Sequence, residues 1–206
     1  MKLHVSFDMA DLAKAHSIAQ QIAEHITTVH IGSLLLYSHG IEAIKSFKAS
    51  FPHLEIIVDS KIIDRAKEAT SIIMGAGADW TTVMAGAPKE IIHSACAAAH
   101  NENKNIFIDL LDSCSLGQSA LEAQSMGGDA LIFHGPYSNS SDPILIDNWN
   151  MVRNNTTLPI FIATSRSILD TALNLNPDGV IVSKLITESE NPLLTVQELL
   201  TKITSS

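Results

Sequence analysis

The run Asp59-Ser60-Lys61-Ile62-Ile63-Asp64 brings two carboxylates and an ammonium close together in the chain. It follows Leu54-Glu55-Ile56-Ile57-Val58, an apolar stretch that reads as a short buried strand. Side chains alternate along a strand, so Asp59 and Lys61 are predicted to share a side, with Ser60 opposite. Charges gathered at a strand end must overcome their desolvation. The run is therefore either a structural ion pair or a reactive site. Nearby carboxylates stabilise the protonated form of Lys61, which suits an electrophile better than a base.

Other polar residues recur at the ends of predicted strands: Asp8, His30, Asp109, His134, Thr164 and Ser183. Each alone has a plain structural reading. A strand-end histidine can be a hydrogen-bonded structural group, and Asp8 or Asp109 can cap the helix that follows. Their chemical interest depends on elements that carry them to one place.

Those elements are legible. Strand signals fall at 3–8, 28–32, 55–61, 79–85, 105–111, 130–135, 159–164 and 179–183. Helical periodicity fills 11–25, 39–50, 64–75, 88–101, 115–126, 145–154, 167–173 and 192–204. In 11–25 the face is Leu12, Ala15, Ile18, Ala19 and Ile22, and Pro88 and Pro192 stand where a first helical turn tolerates proline. Strand-then-helix units repeated eight times predict a compact (β/α)8 TIM barrel over residues 1–206, a single domain. An open doubly wound sheet, usually of five or six strands, is the alternative, but no G-x-G-x-x-G follows the first strand. In a barrel the active site lies at the C-terminal ends of the strands, so one mouth would collect the polar residues above.

Composition narrows the classes of function. The chain is 46% hydrophobic and 17% charged, with only 5% aromatic residues, so its core is built from Ile, Leu, Val and Ala, as in a buried parallel sheet. A net charge of -9 without a basic cluster argues against nucleic acid and anionic membranes as partners. No apolar run approaches the ~20 residues of a membrane helix, and the N-terminus reads as a strand rather than a signal peptide. Cys96 and Cys114 lack metal-ligand spacing and read as reduced, buried thiols. A cytoplasmic protein is expected.

The motifs, in order, resemble those of 3-hexulose-6-phosphate synthase and 3-keto-L-gulonate-6-phosphate decarboxylase, members of the orotidine 5′-monophosphate decarboxylase suprafamily of (β/α)8 barrels. The resemblance spans essentially the whole chain. It rests on FDM, HIGS, FPHLEIIVDSKIIDRA, AGADWTTV, FIDLLD, FHGPYS and VIVSKLIT followed by NP. The D-x-K-x-x-D run is its most specific mark. The resemblance implies a charged set of Asp8, Asp59, Lys61 and Asp64, an acidic position at Asp109, and a histidine near the reacting carbons at His134. It implies that Asp59 binds Mg2+, that Lys61 beside the metal stabilises an enediolate, and that Asp64 reaches the neighbouring subunit's site in a homodimer with shared active sites.

The chain also departs from that pattern. Relatives read E-I-G at the second strand, with Glu as a metal ligand, whereas this chain has His30-Ile31-Gly32. Imidazole is a poor ligand for Mg2+, so His30 implies Mn2+ or Zn2+, or no metal at all. The glycines with which relatives grip phosphate after strands seven and eight are replaced by Thr164-Ser165 and Ser183-Lys184. Hydroxyls and an ammonium can still bind a phosphate, but each added Cβ hinders the backbone's approach. After His134 the decarboxylases carry arginines; Gly135-Pro136-Tyr137 is closer to the synthase branch. The resemblance thus implies a lyase on a phosphorylated sugar, most like the synthase that joins formaldehyde to ribulose 5-phosphate. The alternatives are the two decarboxylases, and a catalytically silent barrel that has lost its metal and phosphate sites.

Overall fold

The structure is a computed structural model that describes residues 1–135 and 142–205. Strands β1 (Lys2–Phe7), β2 (Thr28–Ile31), β3 (Glu55–Ile62), β4 (Trp80–Met84), β5 (Asn105–Asp109), β6 (Ala130–His134), β7 (Ile160–Thr164) and β8 (Gly179–Val182) pair in parallel in sequence order. Pairing of β1 with β8, from Lys2 opposite Gly179 to Val5 opposite Val182, closes the barrel. Around it lie α1 (Leu12–Ile22), α2 (Ser33–His39), α3 (Ile41–Ser50), α4 (Ala66–Gly75), α5 (Lys89–His100), α6 (Leu116–Ser125), α7 (Asp142–Arg153), α8 (Leu169–Asn174), α9 (Lys184–Thr187) and α10 (Pro192–Ser205). The expected (β/α)8 architecture is present. No described helix is long and apolar enough to cross a membrane.

Strand alternation divides the apolar residues into two cores. The larger lies between barrel and helices and includes Val5, Phe7, Val29, Ile31, Ile56 and Val58. The smaller fills the barrel interior with Ile57, Phe107, Ala130, Ile132, Phe161 and Ile181, and Trp80 packs beneath. Gly179 makes room for this inner layer: a Cβ there would stand 2.6 Å from the Phe161 ring. The inner layer closes the barrel floor, so inward-facing residues further along the strands can be reached only from the C-terminal mouth.

Several local expectations are corrected. The segment after β2 folds as α2 and α3, broken at Gly40 (φ +57), where a single helix over 39–50 was expected. α2 is short and fully buries only Leu35, and its signal is hidden in the apolar run Leu34-Leu35-Leu36. α4 begins at Ala66, not at 64, because Arg65 takes a left-handed conformation (φ 50). β3 is not a regular strand to its end. While β3 advances from Val58 to Ile62, β4 advances only from Thr81 to Val83, and Lys61 sits at φ 49. This is a bulge, and simple alternation does not hold across it. Cys96 is buried as expected but Cys114 is exposed; both are free thiols.

Candidate active site

The inward-facing residues at the strand ends surround a cavity of about 390 Å³. Asp8, His30, Asp59, Lys61, Asp109 and His134 all line it, as do Thr164, Ser165 and Ser183. One mouth therefore gathers nearly all the residues singled out in the sequence. Two lie elsewhere. Lys184, the first residue of α9, lines an adjoining recess of about 700 Å³, which Asp8, Thr164, Ser165 and Ser183 also border. Asp64 is exposed beyond the bulge, and its Oδ1 accepts from the Arg65 N–H at 2.7 Å.

Lys61 is the hub. Its Nζ is 3.0 Å from Asp59 Oδ1 and 2.9 Å from Asp109 Oδ2. Burial disfavours the ammonium, but the Asp109 and Asp59 carboxylates outweigh it and raise the Lys61 pKa above the usual lysine range. Asp109 is fully buried. Burial pushes its carboxyl up, yet the hydrogen bond and charge of His134 and the charge of Lys61 bring the pKa below its ordinary value. Asp109 Oδ1 lies 2.8 Å from His134 Nε2 and accepts from the Leu111 N–H at 2.9 Å. With Asp109 ionised, His134 donates from Nε2, which leaves Nδ1 as the nitrogen able to take or give a proton.

The bulge is what aims Lys61, and sequence reading missed the residues that hold it. The Lys61 N–H donates to Thr82 Oγ1 at 2.8 Å, and the same hydroxyl donates to Asp59 Oδ1 at 3.2 Å. Ser60 Oγ is 2.7 Å from Thr81 Oγ1 and donates to the Thr82 carbonyl at 3.0 Å. Ser33 donates to Asp59 Oδ2 at 2.9 Å. A non-glycine residue at positive φ is strained, and these bonds hold it there. The repeated hydroxyls of Thr81-Thr82 in a buried strand were the available signal. Asp8 caps as anticipated, but on α2: its Oδ1 accepts from the Leu34 N–H at 3.0 Å.

The side of the mouth formed by β7 and β8 is differently built. Thr164 donates to the Ser165 carbonyl at 3.3 Å, and Ser165 Oγ pairs with Ser167 Oγ at 3.0 Å. Ser183 Oγ is buried with no hydrogen-bond partner among the described residues. Arg166 borders the same recess, was not singled out in the sequence, and like Lys184 has no ion-pair partner among the described residues. Asp8 and Glu188 also border it, so its cationic side chains are balanced by acidic ones.

The Mg2+ that the resemblance implies finds a poor donor set. Both Asp59 oxygens already accept from protein donors, and His30 Nε2 lies 3.0 Å from His4 Nδ1. Among the described residues no group of three or more His, Cys, Asp or Glu could hold a metal ion. Mg2+ requires a near-octahedral shell of oxygens, and these residues as arranged do not fit it.

A family model described as "Orotidine 5'-phosphate decarboxylase / HUMPS family" matches residues 1–140. The chain belongs to this family. A 3-hexulose-6-phosphate synthase of Staphylococcus aureus (strain USA300) is 25% identical over 197 residues, covering 94% of each chain. Among solved structures, 3-hexulose-6-phosphate synthase from Salmonella typhimurium superposes with a TM-score of 0.90 at 24% identity, over 100% of this chain and 99% of the other. 3-Keto-L-gulonate-6-phosphate decarboxylase (KGPDC) from Streptococcus mutans, in complex with a phosphorylated sugar, gives 0.86 at 19% identity over 99% and 98%. An orotidine 5'-monophosphate decarboxylase from Methanocaldococcus jannaschii, complexed with an inhibitor, gives 0.83 at 19% over 98% of each chain. At these identities the structural likenesses establish the fold, and family members are lyases or decarboxylases.

Proposed function

We propose that the chain is a carbon–carbon lyase on a phosphorylated ketose, most like 3-hexulose-6-phosphate synthase, joining formaldehyde to ribulose 5-phosphate or running the reverse. The observation that carries this reading is the continuous chain Asp59–Lys61–Asp109–His134 along one wall of a cavity sized for a small sugar. In the forward direction the proton on C1 of ribulose 5-phosphate leaves to His134 Nδ1, and the electron pair forms the enediolate. The Lys61 ammonium, held charged by two carboxylates, stabilises the oxyanion. The enediolate carbon attacks formaldehyde, a C–C bond forms, and the new alkoxide takes a proton from the His134 imidazolium. Asp109 keeps the imidazole oriented throughout. No step is routed through a metal.

The phosphate is assigned to the recess bordered by Thr164, Ser165, Arg166, Ser183 and Lys184, since loops after strands seven and eight of such barrels commonly bind phosphate. The 3-keto-L-gulonate-6-phosphate decarboxylase reading is disfavoured because the chain has no arginine between His134 and Arg153, and Arg153 is engaged with Asp178 and the Leu158 carbonyl. Tyr137, the residue closer to the synthase branch, lies outside the described residues. An orotidine monophosphate decarboxylase would meet the same altered phosphate positions. The silent-barrel reading draws on the side chains at 165, 183 and 184.

A homodimer is part of the proposal. Asp64 is exposed and is not among the residues that line the cavity, and Ile63 beside it in the chain (61% exposed) is an exposed apolar residue, as are Leu34 and Tyr37 (74% exposed) of α2, which packs on β3. Exposed apolar residues on these adjoining segments suit a shared-site interface. The deciding experiment is formaldehyde fixation with ribulose 5-phosphate, run with Mg2+, Mn2+, Zn2+ and chelator. Formation of a phosphorylated hexulose supports the lyase. Binding of the sugar phosphate without bond formation in any condition would identify a silent relative. Mixing inactive Lys61→Ala and Asp64→Ala chains should restore one site per mixed dimer; a monomer in sedimentation would rule out shared sites.

A further inference from the structure

Beneath the charged wall lies a pair of residues that the reaction above does not use. His4 of β1 and His30 of β2 are 1% and 2% exposed, and His4 Nδ1 lies 3.0 Å from His30 Nε2. A hydrogen bond between two ring nitrogens needs one protonated and one bare, so the pair holds at most one cation. Burial removes that one as well. It drives His4 well below the usual histidine range, helped by His30 and Lys2. It lowers His30 to about 4, helped by Lys61 and opposed by Asp59 and Asp109. Each neutral ring then carries a single proton, and only its place is open.

The surroundings of His4 decide that place. Its other nitrogen, Nε2, is buried without a hydrogen-bond partner among the described residues. The ring packs against Phe161 and Phe107, with centroids 4.5 and 6.4 Å away. A proton on Nε2 would leave an orphaned N–H donor among aromatic rings, whereas a proton on Nδ1 leaves only a bare lone pair there. Buried orphan donors are the rarer of the two, and buried acceptors short of a partner are better tolerated. His4 therefore donates from Nδ1 to His30 Nε2. That bond obliges His30 to carry its own proton on Nδ1, the nitrogen without a partner among the described residues, in a residue that lines the cavity.

We propose that His30 is a neutral N–H donor to an oxygen of the ligand in the cavity, with His4 as the positioning residue that fixes its tautomer. The ligand class is a ketose whose carbonyl or enediolate oxygen lies between His30 Nδ1–H and the Lys61 ammonium. For the identity of the ligand this rests on the lyase reading; for the tautomer it rests on the His4–His30 hydrogen bond, the burial that keeps both rings neutral and the unpartnered His4 Nε2. It also gives the departure at position 30 a chemical meaning. A carboxylate there would accept and could bind a cation; this imidazole presents a donor, which a cation would repel.

The tautomer is read by nitrogen NMR on the full chain labelled with 15N-histidine at neutral pH. The expected spectrum has protons on Nδ1 of both rings and a coupling across the His4–His30 hydrogen bond. A proton on His30 Nε2, or a cationic ring, overturns the proposal. Ribulose 5-phosphate added without formaldehyde should move the His30 Nδ1–H resonance downfield. Calorimetric binding with that resonance unmoved overturns the ligand contact. His30→Leu should weaken ribulose 5-phosphate binding roughly tenfold, with partial recovery in His30→Gln, whose amide restores an N–H. In His4→Leu the His30 ring should populate both tautomers; a pure Nδ1–H form there removes His4 from the positioning role. If ribulose 5-phosphate does not bind at all, the lyase reading and the assigned ligand fall together, while the spectrum of the free protein still decides the tautomer.

Discussion

The two sides of the barrel mouth are built on opposite plans. On the β3–β6 side the charged groups are already paired: Lys61 with Asp59 and Asp109, Asp109 with His134, and Asp59 with Ser33 and Thr82. On the β7–β8 side the groups are loosely held or, among the described residues, unpaired, as with Ser183 Oγ, Arg166 and Lys184. Buried charge is tolerable only when its partners are in place before any ligand arrives, so the first side must be complete in the free protein. Exposed cations at a rim can wait for an anion, because water serves them meanwhile. The first side is fitted to stabilise charge that develops during a reaction, the second to recognise charge that arrives with the ligand.

The sharpest way to break this comparison is Lys61→Ala. Turnover in formaldehyde fixation is expected to drop by roughly 10²–10³-fold, the usual loss for a group facing a developing oxyanion, with the circular dichroism of a folded barrel retained. Near-wild-type turnover in a folded variant would remove Lys61 from the mechanism.

A second effect concerns pH and stability. The His30 pKa falls from 6.5 to about 4 in the folded protein, in surroundings that include His4, Asp59, Lys61 and Asp109. Between those values the unfolded chain binds a proton that the folded chain refuses, so stability falls as pH drops from 6.5 towards 4. The loss from His30 alone is on the order of 3 kcal/mol. Asp109, with its folded pKa lowered, loses its contribution at still lower pH. Urea unfolding across this range should show the slope, and His30→Leu should flatten it. A midpoint independent of pH between 6.5 and 4 would mean that the pair is not buried in solution.

The rim should respond in binding rather than in rate. Arg166→Ala is expected to raise KM for ribulose 5-phosphate about tenfold, the loss of one charge-assisted contact, with kcat nearly kept. If kcat falls as much as kcat/KM, the rim takes part in the reaction and the division between the two sides fails. The smallest expected effect is at Ser183. Removing a buried hydroxyl that has no partner should leave stability in urea unchanged or raise it by up to ~1 kcal/mol, while phosphate protects Ser183→Ala less well than wild type against heat. A clear destabilisation without ligand would show that the hydroxyl has a partner in solution.

The sequence by itself determined the barrel and the gathering of its site. Eight alternations of strand and helix signals admit few closed architectures, and a period of two within each strand sends Asp8, His30, Asp109, His134 and Ser183 inward once the apolar partners face the helices. What only the tertiary structure decided are contacts between residues distant in the chain. The bulge that turns Lys61 towards Asp109 depends on Thr81 and Thr82 of the next strand, and no local pattern in 59–64 encodes it. Arg166 was not singled out in the sequence; the ends of β7 and β8 bring it to the same recess as Lys184. His4 is one of three polar residues, with Lys2 and Ser6, that alternate with apolar ones along β1; its meaning arises from a partner 26 positions away and from the aromatic rings that leave its far nitrogen bare. Periodicity fixes the face on which a side chain lies, because it is a property of one strand. Hydrogen-bond partners, protonation and strain belong to pairs of strands, and they exist only once the barrel has closed.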